Sequence, residues 1–289
     1  MGRVLNAEHF HIQLDRVLRQ ALLEDMGERG DCTSESIFSV DDAARARICS
    51  KEPGVVSGVY ALEPLMAMVE PRVGVELLCR DGDTVAKGSC LARLDGPVRA
   101  ILGTERIMLN LLQRFSGIAT QTAELVRLCA GTRARVLDTR KTTPTLRIFE
   151  KAAVVHGGGE NHRFGLFDRV LIKDTHVKAC GGPGAAIRRV RERLRNPELA
   201  LEVEVQSEEE FVEALAETPD RIMLDNMAPA LMSRCVALRD VASPRVELEA
   251  SGNIGPRTIA GVAATGVDYI SAGCITHSAP ALDIHLVLE

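Results

Sequence analysis

The sequence contains no tryptophan, and its aromatic side chains are limited to two tyrosines and seven phenylalanines. Proteins that hold single-stranded nucleic acid stack its bases on aromatic side chains, so this scarcity argues against that class. A formal net charge of −5 also argues against a general surface for polyanions. We therefore expect no nucleic-acid partner, and any anion site must be a local group of arginines and lysines.

Further absences concern metal sites, export and membranes. The eight cysteines form no Cys-x-x-Cys pair and have no histidine at zinc-finger spacing, so neither a zinc site nor a disulfide framework is indicated. The N-terminal residues lack the apolar run of a signal peptide. No segment approaches the length of a membrane span. A cytoplasmic location without a membrane partner is the expectation.

A locally basic stretch stands out in this acidic sequence. Between Arg140 and Lys178 there are four arginines and four lysines against four acidic residues, with three histidines among them. Such a concentration of positive charge predicts an anion-binding site in this part of the chain.

The first part of the chain changes pattern twice. Residues 8–25 place apolar side chains at helical spacing. Residues 44–100 carry short strand-like runs separated by Gly, Pro and Asp turns, which predicts a small, mainly antiparallel sheet. Residues 104–129 return to helical periods, with a break expected at Gly117.

In the second half, strand-like runs alternate with helical stretches. Strands are predicted at 135–137, 170–172, 201–205, 221–224, 245–248 and 269–271. Helices are predicted at 184–195, 207–217, 228–239, 256–265 and 279–287. The alternation indicates parallel strands joined by right-handed crossovers. A barrel or partial barrel is favoured over a doubly wound sheet, because no G-x-G-x-x-G follows the first strand and polar residues end almost every strand.

Those polar strand ends predict a functional site, because barrel enzymes build their sites there. Arg140 could hold a carboxylate or phosphate through paired hydrogen bonds, while Lys141 and Lys173 supply point charges. Glu204 and Asp225 each end a hydrophobic strand and are either metal ligands or partners of the lysines. Magnesium prefers one or two carboxylates together with phosphate oxygens, so the pair suits a pyrophosphate-bearing substrate. Structural ion pairs are the alternative.

Two loops add further candidates. Residues 251–253 read Ser-Gly-Asn before a predicted helix, and Gly273 follows the next strand, so their backbone N–H groups could hold a phosphate monoester. The loop at 157–163 joins three glycines to His162 and Arg163. His162 could hydrogen-bond a ligand carboxylate or transfer a proton.

In their order and joint occurrence, these motifs resemble the quinolinate phosphoribosyltransferase family over nearly the whole chain. The resemblance is carried by Gly30-Asp31-Cys32-Thr33, Glu105-Arg106, Asp138-Thr139-Arg140-Lys141, Gly157 to Arg163, Leu171-Ile172-Lys173-Asp174, Glu202-Val203-Glu204, Leu224-Asp225-Asn226 and Ser251-Gly252-Asn253-Ile254.

What the resemblance implies is an α/β protein of two domains. Residues 1–116 would form an N-terminal α/β open sandwich with a bridging helix, to which the chain can return at its C-terminus. Residues 117–289 would form an incomplete (β/α) barrel that carries catalysis. The resemblance also implies a homodimer whose active site is shared, with Arg106 reaching in from the neighbouring subunit.

The resemblance further assigns the site residues. The residues implied to bind the two carboxylates of quinolinate are Arg106, Thr139, Arg140, His162, Arg163 and Lys173, with Lys141 at the junction of the two substrates. The residues implied to bind phosphoribosyl pyrophosphate are Lys141, Glu204, Asp225, Ser251, Gly252, Asn253, Ala272, Gly273 and Cys274. Catalysis would depend on Lys141, Lys173, Glu204 and Asp225, with Mg²⁺ held by Glu204 and Asp225 directly or through water.

The sequence departs from the family pattern at two places, and two other readings stay open. Thr175 stands where asparagine is usual, and Val155 where arginine is common. Lys173 at a strand end could instead serve a Schiff-base aldolase. A non-catalytic phosphosugar-binding relative is the other alternative, against which the joint presence of the charged residues argues.

Overall fold

The computed structural model describes residues 7–289, which divide into two compact units. The first unit comprises the described part of Met1–Ala123 with Thr142–Gly158 and Ser278–Glu289, and the second comprises Glu124–Lys141 with Gly159–His277. The predicted domain boundary between residues 116 and 117 falls inside a long helix. Residues 1–6 of the predicted first domain lie outside the described residues. Within 7–289, no helix is both long enough and apolar enough to cross a membrane.

Helices and strands alternate more regularly in the second half of the chain than in the first. The helices are α1 Ala7–Met26, α2 Cys32–Ile37, α3 Leu62–Val69, α4 Val98–Leu128, α5 Arg147–His156, α6 Asp174–Cys180, α7 Pro183–Arg193, α8 Glu208–Ala216, α9 Pro229–Ala242, α10 Ile259–Ala263 and α11 Cys274–His277. The strands are β1 Ala43–Ser50, β2 Gly54–Val55, β3 Gly74–Leu77, β4 Thr84–Val85, β5 Cys90–Pro97, β6 Arg135–Leu137, β7 Val170–Ile172, β8 Leu201–Val205, β9 Arg221–Asp225, β10 Glu247–Ser251, β11 Tyr269–Ser271 and β12 Ile284–Leu288.

An antiparallel sheet of four strands, in the order β12-β1-β5-β3, organises the first unit. The helix predicted at 279–287 is wrong, because β12 lies there and pairs with β1, with Ile48 opposite Leu286. The Gln113 side-chain amide donates to the Ile284 carbonyl at 2.7 Å, which helps to hold the incoming strand. A short apolar run has no periodicity that separates strand from helix, so only this distant pairing decides.

Helix α4 continues through Gly117, so the break predicted there is also wrong. A Cβ atom on Gly117 would lie 1.9 Å from the Pro280 carbonyl oxygen. Glycine is therefore present because another backbone segment passes close to the helix, which is a different use of the residue from ending a helix.

Six parallel strands, in the order β6-β11-β10-β9-β8-β7, form the sheet of the second unit. Within the described residues, β6 and β7 end this order and do not pair with each other, so the barrel is incomplete. The predicted fold class is confirmed. The strands predicted at 135–137, 170–172, 201–205 and 269–271 are confirmed, whereas the one predicted at 245–248 is displaced to β10.

Local sequence signals start the crossover helices of this unit. Pro183 and Pro229 stand at the first turns of α7 and α9, where a missing N–H costs nothing. Ser207 caps α8 by accepting a hydrogen bond from the Glu210 N–H at 3.2 Å. Because α8 and α9 begin within a few residues of the ends of β8 and β9, the loops that join them are short.

Replacing Gly117 by alanine should destabilise the protein by at least about 2 kcal/mol, because the added methyl group overlaps the Pro280 carbonyl and the backbone must move. The matched control is Gly103→Ala in the same helix, whose Cβ would meet only the flexible tip of Met26 at 3.3 Å. The control should stay within about 0.5 kcal/mol of the parent. Urea unfolding curves of both variants measure the difference, and equal stabilities would contradict the assignment.

Candidate functional site

The carboxyl ends of the six parallel strands bring most of the predicted site residues to one edge of the sheet in the second unit. The residues at or just beyond these ends are Arg140 and Lys141 after β6, Lys173 after β7, Glu204 in β8, Asp225 in β9, Ser251 in β10 and Gly273 after β11.

A cavity of about 720 Å³ lies at this edge. Its side-chain walls include Thr139, Lys141 and Asp225. The predicted phosphoribosyl pyrophosphate residues that line it are Ser251, Gly252, Asn253, Gly273 and Cys274. Ala272 is fully buried, and its N–H donates to the Leu137 carbonyl within the sheet. The cavity is thus built mainly from the loops after β9, β10 and β11.

Two of those loops are locked together by an asparagine pair. Asn226 and Asn253 both adopt positive φ angles, of 54° and 52°. The Asn253 amide donates to the Asn226 side-chain oxygen at 3.2 Å. Gly252 has φ 98°, and a Cβ there would lie 2.2 Å from the Asn226 side-chain oxygen, so only glycine fits. The backbone of residues 251–253 is therefore held in a fixed shape beside the cavity.

Glu204 and Asp225 form a pair of neighbouring carboxylates. The Asp174 N–H donates to Glu204 Oε2 at 3.3 Å, and the Asn226 amide donates to Asp225 Oδ2 at 3.1 Å. Burial raises the pKa of Glu204, the charge of Lys173 opposes that shift, and the carboxylate of Asp225 adds to it. A divalent cation would relieve this repulsion, and oxygen ligands of this kind suit Mg²⁺.

Arg140 and Arg163 bring two guanidinium groups close together. Arg163 is buried, with 8% of its surface exposed. Burial lowers its pKa, and the positive charge of Arg140 lowers it further, while carboxylates including Glu204 oppose both effects. Keeping two like charges near each other is unfavourable without an anion. The pair is therefore suited to a ligand that carries carboxylates.

His162 lies deeper than the strand-end residues, and its imidazole is buried between two glutamates. Its Nε2 is 3.1 Å from Glu202 Oε2 and 3.4 Å from Glu249 Oε2. Its Nδ1 accepts a hydrogen bond from the backbone N–H of Arg163 at 2.7 Å, and the backbone N–H of His162 donates to Asp138 Oδ1 at 2.9 Å. The role predicted for His162 in binding a carboxylate stays a prediction.

These three buried side chains also have the composition of a metal site, since one ligand atom from each of His162, Glu202 and Glu249 lies within 4.8 Å of the others. Cationic side chains already occupy the surroundings. Arg221 Nη1 donates to Glu249 at 2.9 Å, and Arg169 Nη1 donates to Glu202 at 3.3 Å. With two guanidinium groups neutralising the carboxylates, the cluster is better described as a buried ionic network than as a site for a cation.

Four further residues from the sequence analysis lie on the surface. Lys173 is exposed at the start of α6, and Thr175 is exposed in its first turn. Val155 is exposed near the end of α5 in the first unit. Arg106 is exposed on α4, also in the first unit, and its role at the site stays a prediction.

Several residues at the site have no individual role in the sequence prediction. Asn226, Arg257, Thr258 and His277 line the cavity. Gln206 donates to Asp225 Oδ2 at 3.4 Å. The sequence could have predicted Gln206 at the site, because it directly follows β8 at the same edge of the sheet. The positions of Arg257 and His277 could not be predicted, because they depend on the conformation of loops.

A serine, a histidine and an aspartate also meet in the first unit. Ser57 Oγ lies 2.8 Å from His156 Nδ1, and Asp81 Oδ1 accepts from the Val59 N–H at 3.1 Å. Ser57 is fully buried, so a substrate cannot reach its hydroxyl. The trio serves packing in this unit and does not indicate a serine hydrolase.

The environment of Lys173 also bears on the aldolase alternative. Its side chain is exposed and its charge acts on the nearby Glu204 carboxylate. A Schiff-base lysine is typically desolvated or placed beside another cation, which makes the neutral amine available. Lys173 is solvated and lies near a carboxylate, which is neither of these settings, so the structure disfavours a Schiff-base mechanism.

Comparison with known proteins was made by family, by sequence and by structure. Two family models match, the quinolinate phosphoribosyl transferase N-terminal domain over residues 31–116 and its C-terminal domain over residues 118–287. A relative from Bacillus subtilis, named probable nicotinate-nucleotide pyrophosphorylase [carboxylating], is 41% identical over 276 residues, covering 96% of this chain and 93% of its own.

A chloroplastic nicotinate-nucleotide pyrophosphorylase [carboxylating] from Arabidopsis thaliana is also 41% identical, over 97% of this chain and 84% of its own. Among solved structures, the nicotinate-nucleotide pyrophosphorylase from Francisella tularensis superposes with a TM-score of 0.91 at 35% identity, covering 96% of each chain. Together with the strand-end constellation, these matches show that the chain belongs to the quinolinate phosphoribosyltransferase family.

Proposed function

We propose that the protein joins quinolinate to phosphoribosyl pyrophosphate and releases pyrophosphate and CO₂, which yields nicotinate mononucleotide for NAD biosynthesis. The observation that carries this proposal is the grouping of charges at the strand ends. Two guanidinium groups stand near two carboxylates, next to a cavity whose glycine loop suits a phosphate. The named relatives are pyrophosphorylases of this kind.

The two substrates would occupy adjacent parts of this edge. Arg140, Arg163 and Lys173 would bind the quinolinate carboxylates, with Thr139 and His162 close by. Residues 251–253 and 272–274 would bind the 5′-phosphate through backbone N–H groups. Lys141 reaches the cavity and would contact the pyrophosphate or the ribose. Bringing together two anions that repel each other in water is then the largest contribution of the protein.

Glu204 and Asp225 would hold Mg²⁺ directly or through water, since their neighbouring oxygens fit a hard cation. The metal would supply neutralisation of the pyrophosphate charge. Lys141 and Lys173 would stabilise the same leaving group from the protein side.

The chemistry follows from charge. As pyrophosphate leaves, the ribose carbon gains cationic character, and the pyridine nitrogen of quinolinate forms the new C–N bond. The nitrogen becomes positively charged, so the electron pair left when the adjacent carboxylate departs as CO₂ is stabilised by the ring. A proton then replaces CO₂ on that carbon. No covalent enzyme intermediate is needed, because the residues act by positioning and by electrostatic stabilisation.

We also propose a homodimer in which Arg106 completes the neighbouring subunit's site. Arg106 is exposed on α4, so its guanidinium is available to another chain. Its proposed role rests on the family resemblance of Glu105-Arg106, and a third guanidinium beside Arg140 and Arg163 would match a dicarboxylate.

The purified protein should form nicotinate mononucleotide from quinolinate and phosphoribosyl pyrophosphate only when Mg²⁺ is present, because the carboxylate pair needs the cation to bind pyrophosphate. Product is measured by chromatography, with EDTA as the metal control and nicotinate as the parallel substrate. A folded protein that makes no product, or one that prefers nicotinate, would reject the proposed reaction.

Arg140→Ala should raise KM for quinolinate by about 10- to 100-fold, because a charge-assisted hydrogen-bonded pair is lost. KM for phosphoribosyl pyrophosphate should change by less than about threefold. Arg140→Lys, which keeps the charge without the two-pronged geometry, should fall between the parent and the alanine variant. Steady-state kinetics in each substrate separate these effects.

The matched control for Arg140 is Arg189→Ala, which removes an exposed arginine from α7 in the same unit. It should leave both KM values unchanged. An equal loss of affinity for both substrates in Arg140→Ala would contradict the role given to Arg140.

Mixing two inactive variants tests the shared site. Arg106→Ala and Lys173→Ala should each be inactive alone, but a mixed dimer would contain one site with both residues intact. Random subunit exchange places half of the chains in mixed dimers, so activity should recover to about a quarter of the parent level.

Recovery depends on the two residues coming from different chains. If Arg106 served the site of its own chain, every site in the mixture would lack one residue and activity would stay at the background level. Sedimentation of the mixture confirms that dimers are present, and co-purification of two differently tagged variants confirms that subunits have exchanged.

A further inference from the structure

A buried ionic network lies inside the sheet of the second unit, one layer below the strand ends. Glu249, in the middle of β10, is fully buried. Its Oε2 accepts from Arg221 Nη1 at 2.9 Å and lies 3.4 Å from His162 Nε2. A carboxylate in such a position must be matched by positive or donor groups, or it costs several kcal/mol of stability.

Every strand around His162 contributes a polar group to this network. The groups are Asp138 at the end of β6, Arg169 before β7, Glu202 in β8, Arg221 in β9, Glu249 in β10 and Ser271 in β11, whose hydroxyl bonds to Glu249. Two carboxylates therefore face the same imidazole nitrogen, and the Oε2 atom of each also pairs with a guanidinium group, that of Arg169 for Glu202 and that of Arg221 for Glu249.

The charges of these groups act on one another. Burial works to lower the pKa of His162, whereas the charges of Glu249 and Glu202 work to raise it. Burial works to raise the pKa of Glu249, yet His162 and Arg221 lower it to about 2. The pKa of Glu202 is raised by burial and by the charge of Glu249. His162 and Arg221 thus favour the ionised form of Glu249, whose Oε2 faces the imidazole at 3.4 Å beside that of Glu202 at 3.1 Å.

The other side of the imidazole leads to the substrate edge. Nδ1 of His162 accepts from the N–H of Arg163 at 2.7 Å, which places the proton of the neutral ring on Nε2, where the two glutamates can accept it. The same residue, Arg163, carries the guanidinium group whose pKa is lowered by the charge of Arg140. The chain of contacts therefore runs from Glu249 through His162 to Arg163.

We propose that Glu249 is a positioning residue that fixes the His162 imidazole and, through the Nδ1 contact, the backbone of Arg163, so that the Arg163 guanidinium is held beside Arg140. Glu249 itself does not touch substrate. Its effect on quinolinate rests on the proposed function, whereas its effect on His162 is a property of the folded protein alone.

The test compares Glu249→Gln with Glu247→Gln. Glu247 lies two residues earlier on β10 and also pairs with Arg221, at 2.8 Å, but its bonds go to Arg221 and Tyr269 and not to His162. Both variants lose one negative charge from one strand and weaken one arginine pair. They differ in contact with His162, and Glu249 is also buried and bonded to Ser271 whereas Glu247 is partly exposed, so the pKa of His162 is the readout that reports the contact itself.

The first readout is the pKa of His162, measured by NMR of the labelled imidazole Cε1–H, with His162→Asn used to assign the signal among the seven histidines. In Glu249→Gln the pKa should fall by about one unit or more, because the opposite charge is removed. In Glu247→Gln it should stay near the parent value. A pKa of His162 that is equal in Glu249→Gln and the parent would overturn the proposal.

The second readout is kinetic. In Glu249→Gln, KM for quinolinate should rise about tenfold while KM for phosphoribosyl pyrophosphate changes little, since only the guanidinium side of the site is displaced. Glu247→Gln should leave both unchanged. A proportional loss for both substrates at equal thermal stability would indicate a merely structural role.

Glu249→Asp decides the case if the glutamine variant does not fold. Aspartate keeps the charge but moves the carboxylate away from the imidazole, so the pKa of His162 should stay above its ordinary value while KM for quinolinate still rises. An aspartate variant with parent kinetics would reject positioning. If the parent protein did not use quinolinate at all, the proposed function would fail, and the NMR comparison would still decide whether Glu249 holds His162.

Discussion

Parallel pairing is the constraint on which the candidate site depends. All six strands of the second unit run in the same direction, so the residues that follow them lie along a single edge. The register shows this directly, since Asp225 at the end of β9 lies opposite Ser251 at the end of β10. Antiparallel pairing of neighbouring strands would place one of these residues at the opposite edge, and Asp225 would lose the loop of residues 251–253 beside it.

At the edge of the sheet, side chains of like charge lie near each other. In the interior of the same sheet, arginines pair with glutamates. At the edge, Arg163 feels the repulsion of Arg140, and Glu204 that of Asp225. At the start of the strands, by contrast, Arg221 pairs with Glu247 at 2.8 Å. Opposite charges in contact stabilise each other, whereas an anionic ligand and a cation would add to the partial relief that the like charges at the edge receive from neighbouring groups. The division separates the part of the sheet that supports the fold from the part suited to ligands.

Sequence reasoning succeeded where the deciding signal was local. The apolar runs of β6 to β8 are short, regular and bounded by polar residues, so both their positions and the edge at which they end could be predicted. It failed at Gly117 and at β12, where the deciding partner is far along the chain. Glycine reads as a helix break unless the approach of Pro280 is known. Nor could the sequence show which buried groups His162 would meet.

One part of that interior network was nonetheless visible in the strand pattern. In β8, Leu-Glu-Val-Glu-Val places Glu202 and Glu204 on the same face, about 7 Å apart along the strand. The first lies one layer down against His162, and the second lies at the edge near Lys173. In β10, Glu249 and Ser251 repeat this arrangement. The two-residue period of a strand thus places the buried Glu202 and Glu249 directly beneath Glu204 and Ser251 at the edge, so the buried ionic network and the strand-end residues are adjacent layers of one sheet face.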